Sequence, residues 1–383
     1  MTTIGIECES IEEQSWGVGR IVRKLLEEIS RRPELQKEFT FFLYFKSKVP
    51  DLPFLNNPIF VKYVVWQPFP RKSFVLYYYL FLPLTLWFRR LDVMFFPNYM
   101  LPLIFFGTSL VMLTQDIYYE MRSPAQRFRH RLAYHIFSTW AAMTATRIMA
   151  ISESSARELM RLFRIPQKRI AINHLAVDAP RRPDTVSEKG LEFTGDLLRK
   201  TSYFLFVGQI FPRRRVRESI EAFKSIAPDF PGLKFIIIGQ DRYRPPILGS
   251  MITDVNRELG YEAVLLRHYV PDDQLALLYA HARACVYVSS REAFGLPPLE
   301  ALSYKIPSVI ADNQTSQEIF GTNAFLVEEP TEPASIAQAM RQALSDEKAR
   351  ENIIAAADTI TQRFSWRAHA DRFLDIVRSL TPH

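Results

Sequence analysis

Cysteine is nearly absent: Cys8 and Cys285 are the only two in 383 residues. They lie far apart without a CxxC pair or a Cys/His neighbour, which excludes a disulfide framework and speaks against a zinc site. Such usage fits a reducing, cytoplasmic setting. The opening Met1-Thr-Thr-Ile-Gly-Ile-Glu-Cys-Glu9 has neither the basic region nor the small-residue cleavage site of a signal peptide, and reads as a first strand. Long apolar runs are missing too. The greasiest stretch, 74–88, is interrupted by Pro83 and falls short of the ~20 residues a spanning helix needs. There is no GxxxxGK[ST], HExxH or GxSxG, no internal repeat and no low-complexity tract.

What is present is ordinary globular material, 48% hydrophobic and 23% charged. A single core rarely grows beyond roughly 250–300 residues, so this length predicts two domains with a cleft between them. Lys and Arg exceed Asp and Glu to give a net charge of +7, which suggests an anionic partner. Phosphate and anionic lipid fit. Nucleic acid would also need a recognisable binding module, and none appears.

Short β-branched and aromatic runs alternate with amphipathic helical patterns, the signature of parallel sheets with crossover helices. In the first half the strand-like runs are 4–8, 39–45, 93–96, 109–113, 147–151 and 169–173, with a helix over 152–163 capped by Ser152 or Ser154. Residues 178–200, with Pro180, Pro183 and mixed charges, read as a linker. A second series follows at 203–207, 234–238, 263–266, 285–289, 308–311 and 324–327. The predicted fold class is α/β, two Rossmann-like doubly wound domains. The first spans 1–180, a linker 181–200, the second 201–364, and a closing helix over 365–383 returns to the first. Ligands in such sheets bind beyond the carboxyl ends of the strands.

The chemistry concentrates at Ser289-Ser-Arg-Glu-Ala-Phe-Gly-Leu-Pro-Pro-Leu-Glu-Ala-Leu302. After a strand, Gly295 allows close backbone approach, and Pro297 and Pro298 suit the first turn of a helix whose N-terminus is a natural diphosphate seat. Glu292 and Glu300 bracket this turn. A carboxylate accepts two hydroxyl hydrogen bonds, so such a pair suits the diols of a sugar and a ribose. Taken singly, Glu300 reads equally well as a charge favoured in a first helical turn, and Glu292 as a solvated loop acid. A second constellation, Phe206-Val-Gly-Gln-Ile-Phe-Pro-Arg-Arg-Arg-Val-Arg217, follows the first strand of the second domain, where doubly wound folds place phosphates. Arginine forks match phosphate oxygens, which makes Arg213 and Arg214 the candidates. Ser15-Trp-Gly-Val-Gly-Arg20 lacks the third glycine of the dinucleotide fingerprint, having Val22 there, but Gly17 and Gly19 still permit close approach of a ligand.

These residues resemble glycosyltransferase family 4, whose members have the two-domain GT-B fold. The match is the E-x7-E run Glu292-Ala-Phe-Gly-Leu-Pro-Pro-Leu-Glu300, continuing to Pro307, and the likeness extends along nearly the whole chain: Gly17-Val-Gly-Arg20, Asp92-Val-Met-Phe-Phe-Pro-Asn98, Ile151-Ser-Glu-Ser-Ser155 and Phe364-Ser-Trp366. Phe206-Val-Gly-Gln-Ile-Phe-Pro-Arg-Arg214 resembles the G-x-I-x-P-R-K segment of the mannosyl- and rhamnosyltransferase-like branch. The resemblance implies a retaining transfer from a nucleotide-diphosphate sugar, leaning toward GDP-mannose, to a glycan or lipid-linked acceptor of cell-envelope polysaccharide or lipopolysaccharide synthesis, with no cofactor and no metal. It gives the diphosphate to Arg213 and Arg214, the ribose to Glu300 and the transferred sugar to Glu292. Gly208, Gln209, Phe294, Gly295 and Leu296 assist. Where the family usually shows His-Asp, this chain has Gln115-Asp116, and glutamine hydrogen-bonds but takes no proton. Ala176 and His268 replace common glycines, and Gln317 a common proline.

Aromatics crowd 66–106 beside Arg71, Lys72, Arg89 and Arg90, followed by Arg122, Arg127, Arg129 and Arg131. Apolar surface beside basic residues suits an anionic membrane face, here the inner face of the cell membrane; core helices with solvated basic faces explain the pattern equally well. The competing functions are a non-catalytic partner in a glycan-assembly complex and a sugar-nucleotide epimerase, which would need no acceptor.

Overall fold

The computed structural model describes every residue except 14–16, 69–72, 123–127, 181–201 and 382–383. The predicted linker 181–200 thus lies outside the described residues, as do Ser15, Trp16, Arg71, Lys72, Arg127 and the Arg129 side chain. The chain divides into two compact units, Met1–Ala176 with Trp366–His383, and Val177–Ser365.

In the first unit β1 (Thr2–Glu7), β2 (Phe39–Phe45), β3 (Phe60–Val64), β4 (Val93–Phe96), β5 (Ser109–Met112), β6 (Arg147–Ala150) and β7 (Ile170–Ile172) pair in parallel in the order β3-β2-β1-β4-β5-β6-β7. Every residue of β4 and β5 is buried, as expected of central strands covered on both faces. β3 was not among the predicted strands. Its exposed positions, Lys62 and Val64, alternate with more covered ones at the sheet edge, so it lacks the continuous apolar run that marked the others.

Helix Val18–Ser30 buries Ile21, Val22, Leu25, Leu26 and Ile29, the stripe its spacing predicts. Ser152 caps helix Glu153–Phe163 by accepting from Ser155 N at 2.9 Å, while Ser154 lies buried inside the first turn. The greasy stretch is helical but interrupted: a π-helical turn, Tyr77–Phe81, precedes Leu82–Trp87, and Pro83, which cannot donate an N–H, sits at the junction. Among the described residues no helix is long and apolar enough to cross a membrane.

The closing helix Trp366–Arg378 belongs to the first unit. Phe373 meets Phe95 of β4 edge-on at 5.0 Å, and Arg378 grips Glu38 through two hydrogen bonds of 2.7 and 2.9 Å. Burial lowers the His369 pKa to about 4, so the neutral ring donates from Nδ1 to His174 O at 2.7 Å.

The second unit repeats the scheme with β8 (Tyr203–Val207), β9 (Lys234–Ile238), β10 (Val264–Arg267), β11 (Ala284–Tyr287), β12 (Ser308–Ala311) and β13 (Phe325–Val327), ordered β10-β9-β8-β11-β12-β13. Strand order reverses between β8 and β11. This topology binds ligands at such a switch point, beyond the carboxyl ends of the strands.

Candidate functional site

Chain leaving β8 passes directly into Gly208, at φ 132°, whose N–H donates to Ile238 O. A Cβ on Gly208 would stand 2.8 Å from Arg214 Nη1, so the glycine makes room for that guanidinium. Gly239, after β9, is required in turn, because a Cβ there would meet the Gly208 carbonyl at 1.9 Å. The loop then turns through Pro212–Arg214 and reverses at Arg215, a left-handed residue at φ 46°, to start helix Val216–Ile226.

The β11 loop is knitted onto this turn. Ser290 N donates to Arg213 O at 2.9 Å, and Arg215 Nε to Ser290 Oγ at 2.8 Å. From the far side, Asn313 Nδ2 donates to Ser289 O at 3.2 Å and Thr315 Oγ1 to Glu292 O at 3.0 Å. One main-chain bond and three side-chain donors therefore fix the backbone on both sides of the switch point.

At the centre Arg214 Nε meets Glu292 Oε1 at 2.8 Å, with both side chains largely covered. The same oxygen accepts from Tyr287 at 3.0 Å and Ser289 Oγ at 3.1 Å. Burial works against the charge on Glu292, but the Arg214 and Arg213 guanidiniums and the hydrogen bonds from Arg214 and Tyr287 outweigh it and hold the carboxyl below its ordinary range. Arg213 lies over the Phe211 ring at 4.6 Å, and its buried Nε has no hydrogen-bond partner among the described residues. Both guanidiniums thus act on the Glu292 carboxylate, Arg214 through a direct ion pair and Arg213 through its charge.

Gly295, at φ 98° with open space beside it, starts helix Leu296–Ser303. A helix start leaves four N–H groups without intrahelical partners, and here Pro297 and Pro298 have none to offer. The donors left at this terminus are those of Gly295 and Leu296. The Phe294 side chain is buried edge-on against Phe364 at 5.4 Å, so only its backbone faces any ligand role. Glu300, within the helix, accepts from Tyr279 at 3.2 Å. Gln209 is exposed, with its Oε1 taking a 2.7 Å hydrogen bond from Arg242 Nε.

The loop and turn after β8, the loop after β11 and helix Leu296–Ser303, all of one unit, therefore carry Gly208, Gln209, Arg213, Arg214, Glu292, Phe294, Gly295, Leu296 and Glu300. The remaining candidates belong to the first unit. Gly17, at φ 74°, precedes helix Val18–Ser30, in which Gly19 is buried. Gln115 is buried, and Asp116 opens the short helix Asp116–Glu120, where an acid is also favoured by the helix dipole. Tyr287, Ser289, Arg215, Tyr279 and Gly239 were not singled out from the sequence. Only the run of three arginines and a glycine after an apolar strand carried any signal for them.

The fold is GT-B: two Rossmann-like parallel-sheet domains, matching the structure of WaaG, a glycosyltransferase involved in lipopolysaccharide biosynthesis, at TM-score 0.68 and 18% identity over 98% of this chain and 99% of that one. Anabaena Alr3699/HepE in complex with UDP-glucose matches at TM-score 0.70 and 15% identity, over 99% and 100%. Residues 193–359 match the family model described as Glycosyl transferases group 1. The O-antigen chain mannosyltransferase B of Escherichia coli is 32% identical over 225 residues, 58% of this chain and 58% of that protein's length.

Proposed function

We propose that the chain is a retaining glycosyltransferase that moves a sugar from a nucleotide-diphosphate donor to a glycan or lipid-linked acceptor of cell-envelope polysaccharide. The observation carrying this reading is the Arg213, Arg214 and Glu292 cluster beside a helix N-terminus at the β8/β11 switch point. Two guanidiniums and the Gly295 and Leu296 N–H groups suit a diphosphate, and an ionised Glu292 suits sugar hydroxyls. Glu300 takes the ribose hydroxyls. The anomeric C–O bond to the diphosphate breaks as the acceptor oxygen attacks the same face, and the leaving phosphate oxygen takes the acceptor's proton. Positioning and stabilisation of the departing charge carry the catalysis, without a divalent metal. Gln115 and Asp116 of the first unit are the further catalytic candidates, and Gly17 the further donor-binding one, while Gly19 is buried within its helix.

The mannosyltransferase relative supports mannose as the transferred sugar, with GDP-mannose the donor toward which the family resemblance leans, and the UDP-glucose complex of HepE supports a UDP-sugar as the second reading. We assign the protein to the inner face of the cell membrane, supported by the exposed Trp66, Trp87, Phe88, Phe106 and Phe128 of the first unit, with exposed Arg90 following Trp87 and Phe88 in sequence. Titration of UDP, GDP, GDP-mannose and UDP-glucose into wild type and Glu300→Ala, followed by calorimetry in EDTA, tests the donor site. One nucleotide is expected to bind at micromolar strength, and the substitution to weaken it by more than about 1.4 kcal/mol, a tenfold change. No binding to wild type overturns the reading in favour of a non-catalytic partner.

A further inference from the structure

Each acid of the site is held by a buried tyrosine. Tyr287, the last residue of β11, is 3% exposed, stacks on Phe206 of β8 at 5.5 Å and 13°, and donates to Glu292 Oε1. Tyr279, in helix Asp272–His281, is also 3% exposed, stacks on Tyr304 at 5.6 Å and 14°, and donates to Glu300 Oε2. Burial first, and then the neighbouring carboxylate, pushes both phenols well above their usual range, so neither ionises while the protein is folded.

Phenylalanine would fill either place at less cost, because a buried hydroxyl is expensive unless it finds a partner. Each hydroxyl instead pins one named oxygen of its carboxylate, and a ring locked in a stack cannot swing to release it. The direction of the second carboxylate oxygen is then set for Glu292 by Tyr287 together with Arg214 and Ser289 on the same Oε1, and for Glu300 by Tyr279 of helix Asp272–His281. Different tyrosines therefore help to orient the two acids.

We infer that Tyr287 and Tyr279 are positioning residues of the donor site, Tyr287 orienting Glu292 toward the transferred sugar and Tyr279 orienting Glu300 toward the nucleotide. Loss of the two hydroxyls therefore acts on different constants. This rests on the donor-site reading above.

Tyr287→Phe and Tyr279→Phe, made in the full chain, keep each ring and its stack. Turnover is read as the diphosphate released from whichever of GDP-mannose and UDP-glucose wild type binds, and affinity by calorimetry. Tyr287→Phe is expected to lower kcat about tenfold with donor affinity nearly unchanged. It also moves the acidic limb of the pH–rate profile upward, because Glu292 loses one of the groups holding its pKa down. Tyr279→Phe is expected to weaken nucleotide binding about tenfold with kcat near wild type. Equal effects of both variants on both constants, or a lowered melting temperature with kinetics unchanged, would assign the hydroxyls to packing and overturn the inference. Wild type that binds neither donor defeats the donor-site reading itself, whereas wild type that works and variants that match it defeat only this inference.

Discussion

Two glutamates near corresponding switch points carry opposite shifts. In the first unit Glu7 ends β1, beside the reversal between β1 and β4, and is fully covered. Burial pushes its pKa up to about 8; the Glu9 N–H and Tyr77 hydroxyl on Oε1 offset this only in part, and the nearby charges are the acids Glu9 and Glu12. In the second unit Glu292 is also covered, yet two arginines hold it below the ordinary range. One strand order thus houses a neutral acid in one unit and a charged, cation-paired acid in the other. Topology fixes where a site can form; the residues leaving the strands decide what it binds.

The comparison breaks hardest at Arg214. Replacing it by alanine leaves Glu292 largely buried without the cation at 2.8 Å, and such losses typically cost about 3–5 kcal/mol. Thermal unfolding of Arg214→Ala is expected to show a strongly destabilised second unit, with Arg214→Ala/Glu292→Gln recovering much of the loss. A single variant that melts like wild type would mean the pair is not coupled to folding.

Glu7 gives a smaller effect of distinct form. Folded Glu7 keeps its proton up to about pH 8 while the unfolded chain releases it near the ordinary 4.5. The folded state therefore binds more protons across that window, and stability is full below 4.5 and falls as pH rises toward 8. At neutral pH the loss is on the order of 3 kcal/mol, at about 1.4 kcal/mol per pKa unit. Glu7→Gln should flatten the decline; an unchanged pH slope in the melting curves would show that Glu7 ionises normally.

The smallest effect is expected at the surface. Trp87 and Phe88 are 70% and 87% exposed, and their joint replacement by serine should reduce cosedimentation with phosphatidylglycerol vesicles several-fold while leaving melting unchanged. Equal sedimentation of both proteins would remove this patch from the membrane proposal.

Much of the architecture was legible because its signals are local. The runs at 203–207, 234–238 and 308–311 form strands with those bounds, since a covered strand needs a continuous apolar stretch and nothing else. Edge strand β3 was not legible, being only half covered. Within the site, the turn at Gly295 and the paired acids announced themselves through glycine, proline and spacing. Tyr287 did not, because a tyrosine ending an apolar strand looks the same whether its hydroxyl meets water or a carboxylate.

By itself, then, the sequence determined the alternation of strands and helices, the turn ahead of helix Leu296–Ser303 and the kinds of residue that could hold a phosphorylated sugar. Only the tertiary structure decided that Arg214 pairs with Glu292, 78 positions away, that Gly208 yields its space to that guanidinium, and that a separate tyrosine holds each acid. Periodicity and turn chemistry act over a few residues. Pairing across a switch point depends on which strands lie side by side, and that is settled when the whole sheet assembles.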